Sequence, residues 1–206
     1  MKRHHMPRML AGLVLAAVSW AAQAALPIEH WVHPSGARVY LVRSPAIPML
    51  DLTLDVDAGS RRDPAGQVGL ARATAALFDK GVAAQGGDAA LDENALAEAW
   101  PDLGAQFGAS VGSDRMSFSL RTLTDPALLE RAVALAARQL AGPAFPDAVW
   151  VRERERSIAA LREAETRPGT QAGRAFARAV YQGHPYGAQT TVESLNAIAV
   201  ADMAAF

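Results

Sequence analysis

The 206 residues contain no cysteine, so neither a disulfide framework nor a thiolate metal site is available and stability must come from a packed core. Aromatic residues are sparse at 6%, and net charge is close to neutral at -1. That balance leaves no basic footprint for nucleic acid. No apolar run reaches the ~20 residues a membrane-crossing helix needs. Glycine-rich phosphate loops, nucleophile elbows and serine–histidine pairings are missing as well. Hydrophobic residues nevertheless make up 50% of the chain, which excludes a disordered polymer.

The amino terminus reads as an export signal over residues 1–24. Lys2, Arg3 and Arg8 precede an apolar run from Met9 to Trp20, and Ala22-Gln23-Ala24 supplies the small residues at which such signals are cut. Its removal leaves 17 basic residues against 21 acidic ones, a net charge of -4, because three of the 20 basic residues go and no acid does. Residues 25–206 are enough for one sizeable domain. The last residues, Ala201 to Phe206, have no capping glycine, proline or polar tail, so the chain is expected to be cut inside or at the edge of a helix.

Periodicity locates the elements. Val39-Tyr40-Leu41-Val42 follows the turn residues Pro34-Ser35-Gly36 and predicts a strand. From Leu50 to Asp57 leucines and valine alternate with Asp51, Thr53, Asp55 and Asp57, which predicts one face on a core and one in water. Leu70, Ala73, Thr74 and Leu77 repeat at helical spacing between Gly66 and Lys80, with Gly81 as the stop. A short helix is expected over Asn94 to Asp102, with Trp100-Pro101 awkward for its last turn. Strands over Ala105 to Val111 and Met116 to Leu123 flank a hairpin turn at Gly112-Ser113-Asp114-Arg115. Asp125 and Pro126 are a cap and first-turn residue for a helix to Leu140, and further helices are expected over Pro146 to Glu165, Gly169 to Tyr181 and Val200 to Phe206. The run Arg152-Glu153-Arg154-Glu155-Arg156 reads as a solvated, pair-laced face. Strands and helices mix without strict βαβ alternation, so the fold class is α+β, with helices on one face of a mostly antiparallel sheet.

Candidate metal ligands are few. Outside the signal the only histidines are His30, His33 and His184. His30 and His33 straddle an extended segment in which i and i+3 point to opposite faces, and His184 precedes a proline in a turn. Asp51, Asp55 and Asp57 lack the glycine-bearing loop that calcium sites use.

The order and spacing of short strings resemble the insulinase/pitrilysin family of zinc peptidases. These are Pro34-Ser35-Gly36-Ala37-Arg38-Val39, Ala58-Gly59-Ser60-Arg61, Gly69-Leu70-Ala71, Lys80-Gly81, Phe145-Pro146 and His184-Pro185-Tyr186-Gly187. The resemblance implies an amino-terminal half-domain of such a peptidase. It also implies an inverted zinc motif, H-x-x-E-H, directly after Gly69-Leu70-Ala71. The motif positions here carry Arg72, Ala75 and Ala76, and the third-ligand position falls near Ala159-Ala160. Alanine offers no lone pair and arginine is a fixed cation without an acceptor, so no metal or cofactor is expected in this chain and no catalytic residue is assigned.

What the resemblance implies about function follows from that loss. A catalytically inactive, periplasmic or otherwise exported subunit would pair with a zinc-bearing homologous subunit into a chamber for unfolded peptides. The strand Phe107, Gly108, Ala109, Ser110, Val111 corresponds in position to the edge on which active relatives align substrate backbone. A peptide-binding or assembly protein without a proteolytic partner, and an active metallopeptidase with atypical ligands, are the alternatives.

Overall fold

A computed structural model describes residues 26–206. The export signal expected over residues 1–24 lies outside them. Two compact units divide the chain after Ile47.

The first unit is a hairpin. Strand β1 (Ile28–Val32) pairs antiparallel with β2 (Arg38–Val42), bringing Trp31 opposite Val39. The connection closes where His33 N donates to Ala37 O at 2.8 Å and Gly36 takes φ +88°, the positive value that favours glycine. His33 Nδ1 lies 2.9 Å from the Ser35 hydroxyl, and His30 sits opposite Tyr40, so the two histidines serve the hairpin separately.

The second unit, from Pro48 onward, is α+β. Its principal sheet has the order β3 (Met49–Val56), β7 (Met116–Leu123), β6 (Gln106–Val111), all antiparallel. A two-stranded ribbon, β4 (Gly81–Val82) with β5 (Leu91–Asp92), was not foreseen, being too short to show a period. The helices are α1 (Leu70–Leu77), α2 (Glu93–Asp102), α3 (Pro126–Ala141), α4 (Asp147–Glu165), α5 (Pro168–Val180), α6 (Val192–Asn196) and α7 (Val200–Ala205).

Local chemistry explains most of the boundaries. Asp92 accepts from Ala95 N at 2.8 Å to start α2, and Asp125 accepts from Ala127 N and Leu128 N to start α3. Pro101 is tolerated inside α2 because the helix is already ending, with Gly104 N turning back to Pro101 O at 2.8 Å. Helix α6 is initiated by a reciprocal pair between Thr191 and Ser194, a capping box with serine in place of the usual glutamate.

Two expectations need correction. The helix foreseen from Gly66 to Lys80 spans only Leu70–Leu77. Gly69 has φ +114°, which breaks the helical path, and at the other end Lys80 N bonds Leu77 O in a tightened turn. The alternating strand β3 also departs from expectation, because Leu52 and Leu54 remain 46% and 38% exposed. They do share a face with Leu120 and Phe118, as alternation requires. However, α1 packs against β6 and α3 against β7, which leaves the flanking strand β3 half-covered.

The core falls into two clusters. Leu70, Ala73 and Leu77 of α1 meet Phe145, Trp150, Leu195, Ile198 and Met203. Val82, Leu96, Trp100, Leu120, Ala132 and Ala136 form the other. Gln139 is fully buried in α3 and satisfies two groups that would otherwise be orphaned: its Oε1 accepts from Trp100 Nε1 at 3.1 Å and its Nε2 donates to Phe78 O at 3.0 Å.

Candidate functional site

Asp63 sets the start of α1. Its carboxylate accepts from Gly69 N at 2.7 Å and Ala71 N at 2.8 Å, satisfying amides at the helix start from six and eight residues upstream. Burial pushes its pKa above the ordinary carboxylate value, against the opposing pull of those two amides. The helix so started buries Leu70, Ala73, Thr74 and Leu77 and turns another stripe outward. On that stripe Arg72 and Ala76 are exposed, while Ala75 is half-buried.

Helix α4 faces it. Glu153, Ser157, Ala160 and Leu161 recur at helical spacing and line one cavity of about 430 Å³ together with Gly69, Arg72, Ala73, Ala76 and Leu77. Trp150, Thr190 and Leu195 complete its wall. The motif-derived positions Arg72, Ala76 and Ala160 therefore meet at one cavity. Ala75 and Ala159 do not line it.

One acid at this cavity escaped the sequence reading. Glu153 lies in the charge run taken as a solvated face, yet its side chain is only 19% exposed. It is flanked by Arg152 Nε at 3.3 Å and Arg156 Nη1 at 3.4 Å. Its spacing from Ser157 and Ala160, four and seven residues, was the available signal: that interval puts it on the stripe shared with the third-ligand position. The Arg72 side chain forms no hydrogen bond or ion pair among the described residues. Nor do any three His, Cys, Asp or Glu side chains among them gather into a metal-holding group.

Three other groups singled out in the sequence have structural partners. Asp51 is held by Arg121 at 2.6 Å, Asp55 by Ser117 at 2.5 Å and Arg115 at 2.9 Å, and Asp57 by Arg61 at 2.6 Å and by Arg62. These bonds lower the pKa of all three carboxyls, chiefly through Arg121 for Asp51, Ser117 for Asp55 and Arg62 for Asp57. His184 Nδ1 accepts from Tyr186 N at 3.2 Å, and the Tyr186 hydroxyl donates to Asp114 at 2.5 Å, fastening the His184–Gly187 loop to the β6–β7 turn. Residues Phe107 to Val111 lie in β6, at the end of the three-stranded sheet, with one edge unpaired among the described residues.

Residues 38–193 match the family model for insulinase, peptidase family M16. Among solved structures, the inactive domain of an M16 peptidase from Pseudomonas fluorescens is 30% identical with a TM-score of 0.79, over 87% of this chain and 42% of that one. Pitrilysin is 26% identical with a TM-score of 0.63, over 84% of this chain and 18% of that one. The periplasmic protease PqqL from Escherichia coli shares the fold at 14% identity, with a TM-score of 0.68 over 88% of this chain and 21% of that one. The chain thus spans less than half the length of each of these. No curated protein sequence matches it. Among the described residues no helix is long and apolar enough to cross a membrane.

Proposed function

Because the chain belongs to the insulinase family of peptidases, M16, we propose that it is a non-catalytic subunit that pairs with a zinc-bearing homologue to enclose and cleave peptides. The observation that carries this reading is the side-chain set at the α1–α4 cavity: a guanidinium at position 72 and methyl groups at 76 and 160. Zinc does not fit it. The metal takes three or four nitrogen, sulfur or oxygen donors, whereas guanidinium and methyl groups have no lone pair to give. Glu153 is a single carboxylate already engaged by two arginines. Position 75 is alanine, so a base to activate water is also lacking there. Zinc accordingly belongs to the partner subunit.

The chain's own contribution is to position substrate. The free edge of β6 offers backbone N–H and C=O groups to an extended peptide, a ladder that reads shape rather than side-chain identity. Export to the periplasm is supported by the signal pattern of residues 1–24 and by the compartment of the fold relative from Escherichia coli.

Peptide hydrolysis by the purified chain, alone and mixed with a homologue carrying an intact H-x-x-E-H, tests the proposal. The chain alone should cleave nothing and hold no stoichiometric zinc, and the mixture should exceed the homologue alone. Chelator-sensitive hydrolysis by this chain alone would refute it. Co-purification without any zinc-bearing homologue would favour a peptide-binding or assembly protein instead.

A further inference from the structure

The α1–α4 cavity carries a cation with nothing to answer it. Glu153, on the opposite wall, is held by Arg152 and Arg156. Asp63, which feels Arg72 through space, is occupied by the amides of Gly69 and Ala71. The Arg72 guanidinium itself makes no ion pair or hydrogen bond among the described residues. Arg72 and Glu153 are the charged residues that line the cavity, and with Glu153 already engaged the guanidinium is the charge left to meet a ligand. A guanidinium presents its donors as a planar fork that matches a carboxylate in bidentate fashion. Beside it Leu161 is partly exposed, backed by the core residues Leu77, Trp150 and Leu195, and Ser157 and Thr190 add hydroxyls. Its volume of about 430 Å³ falls in the roughly 300–1,000 Å³ range of small-ligand pockets.

We propose that this cavity binds the carboxylate of a peptide, with Arg72 as its anchor and the partly exposed Leu161 meeting the adjoining apolar side chain. The proposal rests on the peptide-handling part of the reading above. Either a peptide's terminal carboxylate or an acidic side chain within it satisfies the same chemistry. A docked carboxylate replaces the water around Arg72 with a charge-assisted pair in a partly enclosed site, where such pairs are stronger than at open surface.

Binding of fluorescein-labelled Ala-Ala-Leu to the full chain tests this by anisotropy, comparing the free acid with its carboxamide and comparing amidated peptides that carry an internal Glu or Gln. The acid should bind at least tenfold more tightly than the carboxamide, and added salt should narrow the gap. Recovery of affinity by the internal Glu but not Gln assigns the carboxylate to a side chain; preference confined to the free terminus assigns it to the chain end. Arg72→Met keeps the aliphatic stem and should abolish the preference while leaving the thermal midpoint unchanged. Equal binding of acid and amide with no Glu–Gln difference, or a preference that survives Arg72→Met, overturns the proposal. Partner-supported hydrolysis is a separate readout: its absence alongside an Arg72-dependent preference removes the subunit reading and leaves the carboxylate site standing.

Discussion

Gln139→Met is the sharpest probe of how the body of the protein is held together. The side chain is fully buried, and its amide orientation is fixed by chemistry, because the Trp100 indole can only donate and the Phe78 carbonyl can only accept. Methionine fills similar space without answering either group. Each orphaned buried partner costs about 1–3 kcal/mol, giving roughly 2–6 kcal/mol for the two, offset by about 1 kcal/mol from the more apolar side chain. Urea unfolding followed by tryptophan fluorescence should show a lower midpoint with an unchanged slope. Gln139→Glu adds a pH signature. An ionised carboxylate would face the Phe78 carbonyl without a hydrogen to offer, so its folded pKa must rise above the unfolded value near ~4.3. The native state then binds more protons, and stability falls as pH climbs through the raised pKa, with near-recovery in acid. A loss below about 0.5 kcal/mol for Gln139→Met, within the range of ordinary surface substitutions, would refute the assigned role.

Gly59→Ala should destabilise by about 1–3 kcal/mol in the same assay, since its Cβ would lie 2.3 Å from Asp114 C and 2.4 Å from Arg115 N, prying apart the bonds from Ser60 N to Gly112 O and Arg61 N to Ser113 O. Tyr186→Phe removes the hydroxyl bond to Asp114 and should leave global stability little changed while speeding proteolytic cleavage in the His184–Gly187 loop. Acid titration should show stability conferred by Asp51, Asp55, Asp57 and Glu93 above the ordinary carboxylate range and lost as pH falls below about 4, because partner bonds lower all four pKa values. Asp63 opposes them, since burial raises its pKa and its contribution is lost as pH rises through that raised value; Asp63→Asn should therefore remove that opposing contribution from the profile.

Elements whose boundaries are set by near neighbours were legible. The β6–β7 hairpin follows from the turn at Gly112–Arg115 between two alternating runs, and α3 from Asp125 and Pro126, all short-range chemistry. Tertiary facts were not. Alternation in β3 fixes which residues share a face, but whether Leu52 and Leu54 are covered depends on where α1 and α3 land. Glu153 looked solvated because charge runs usually are, and only the tertiary structure shows it 19% exposed in a cavity shared with α1. Gln139, at the end of an alanine- and leucine-rich helix, gives no local sign that it bridges Trp100 and Phe78.

The two helices at the cavity keep packing and chemistry on separate stripes, so the residues that face the cavity can change without disturbing the packed core. Leu70, Ala73 and Leu77 of α1 and Trp150 of α4 belong to one core cluster, with Ile158 packed against it. Positions 72, 76 and 160 lie on exposed stripes of the same helices. Substituting an exposed position away from packed contacts usually changes stability by no more than ~0.5 kcal/mol. Removing side chains from the packed stripe costs several-fold more, about 2–5 kcal/mol for leucine to alanine. The fold therefore constrains the core stripe strongly and the cavity stripe weakly. The cavity keeps its shape because Leu77, Trp150 and Leu195 serve both the core cluster and the cavity wall, and what it binds is set by the few side chains that only the cavity uses, Arg72 foremost among them.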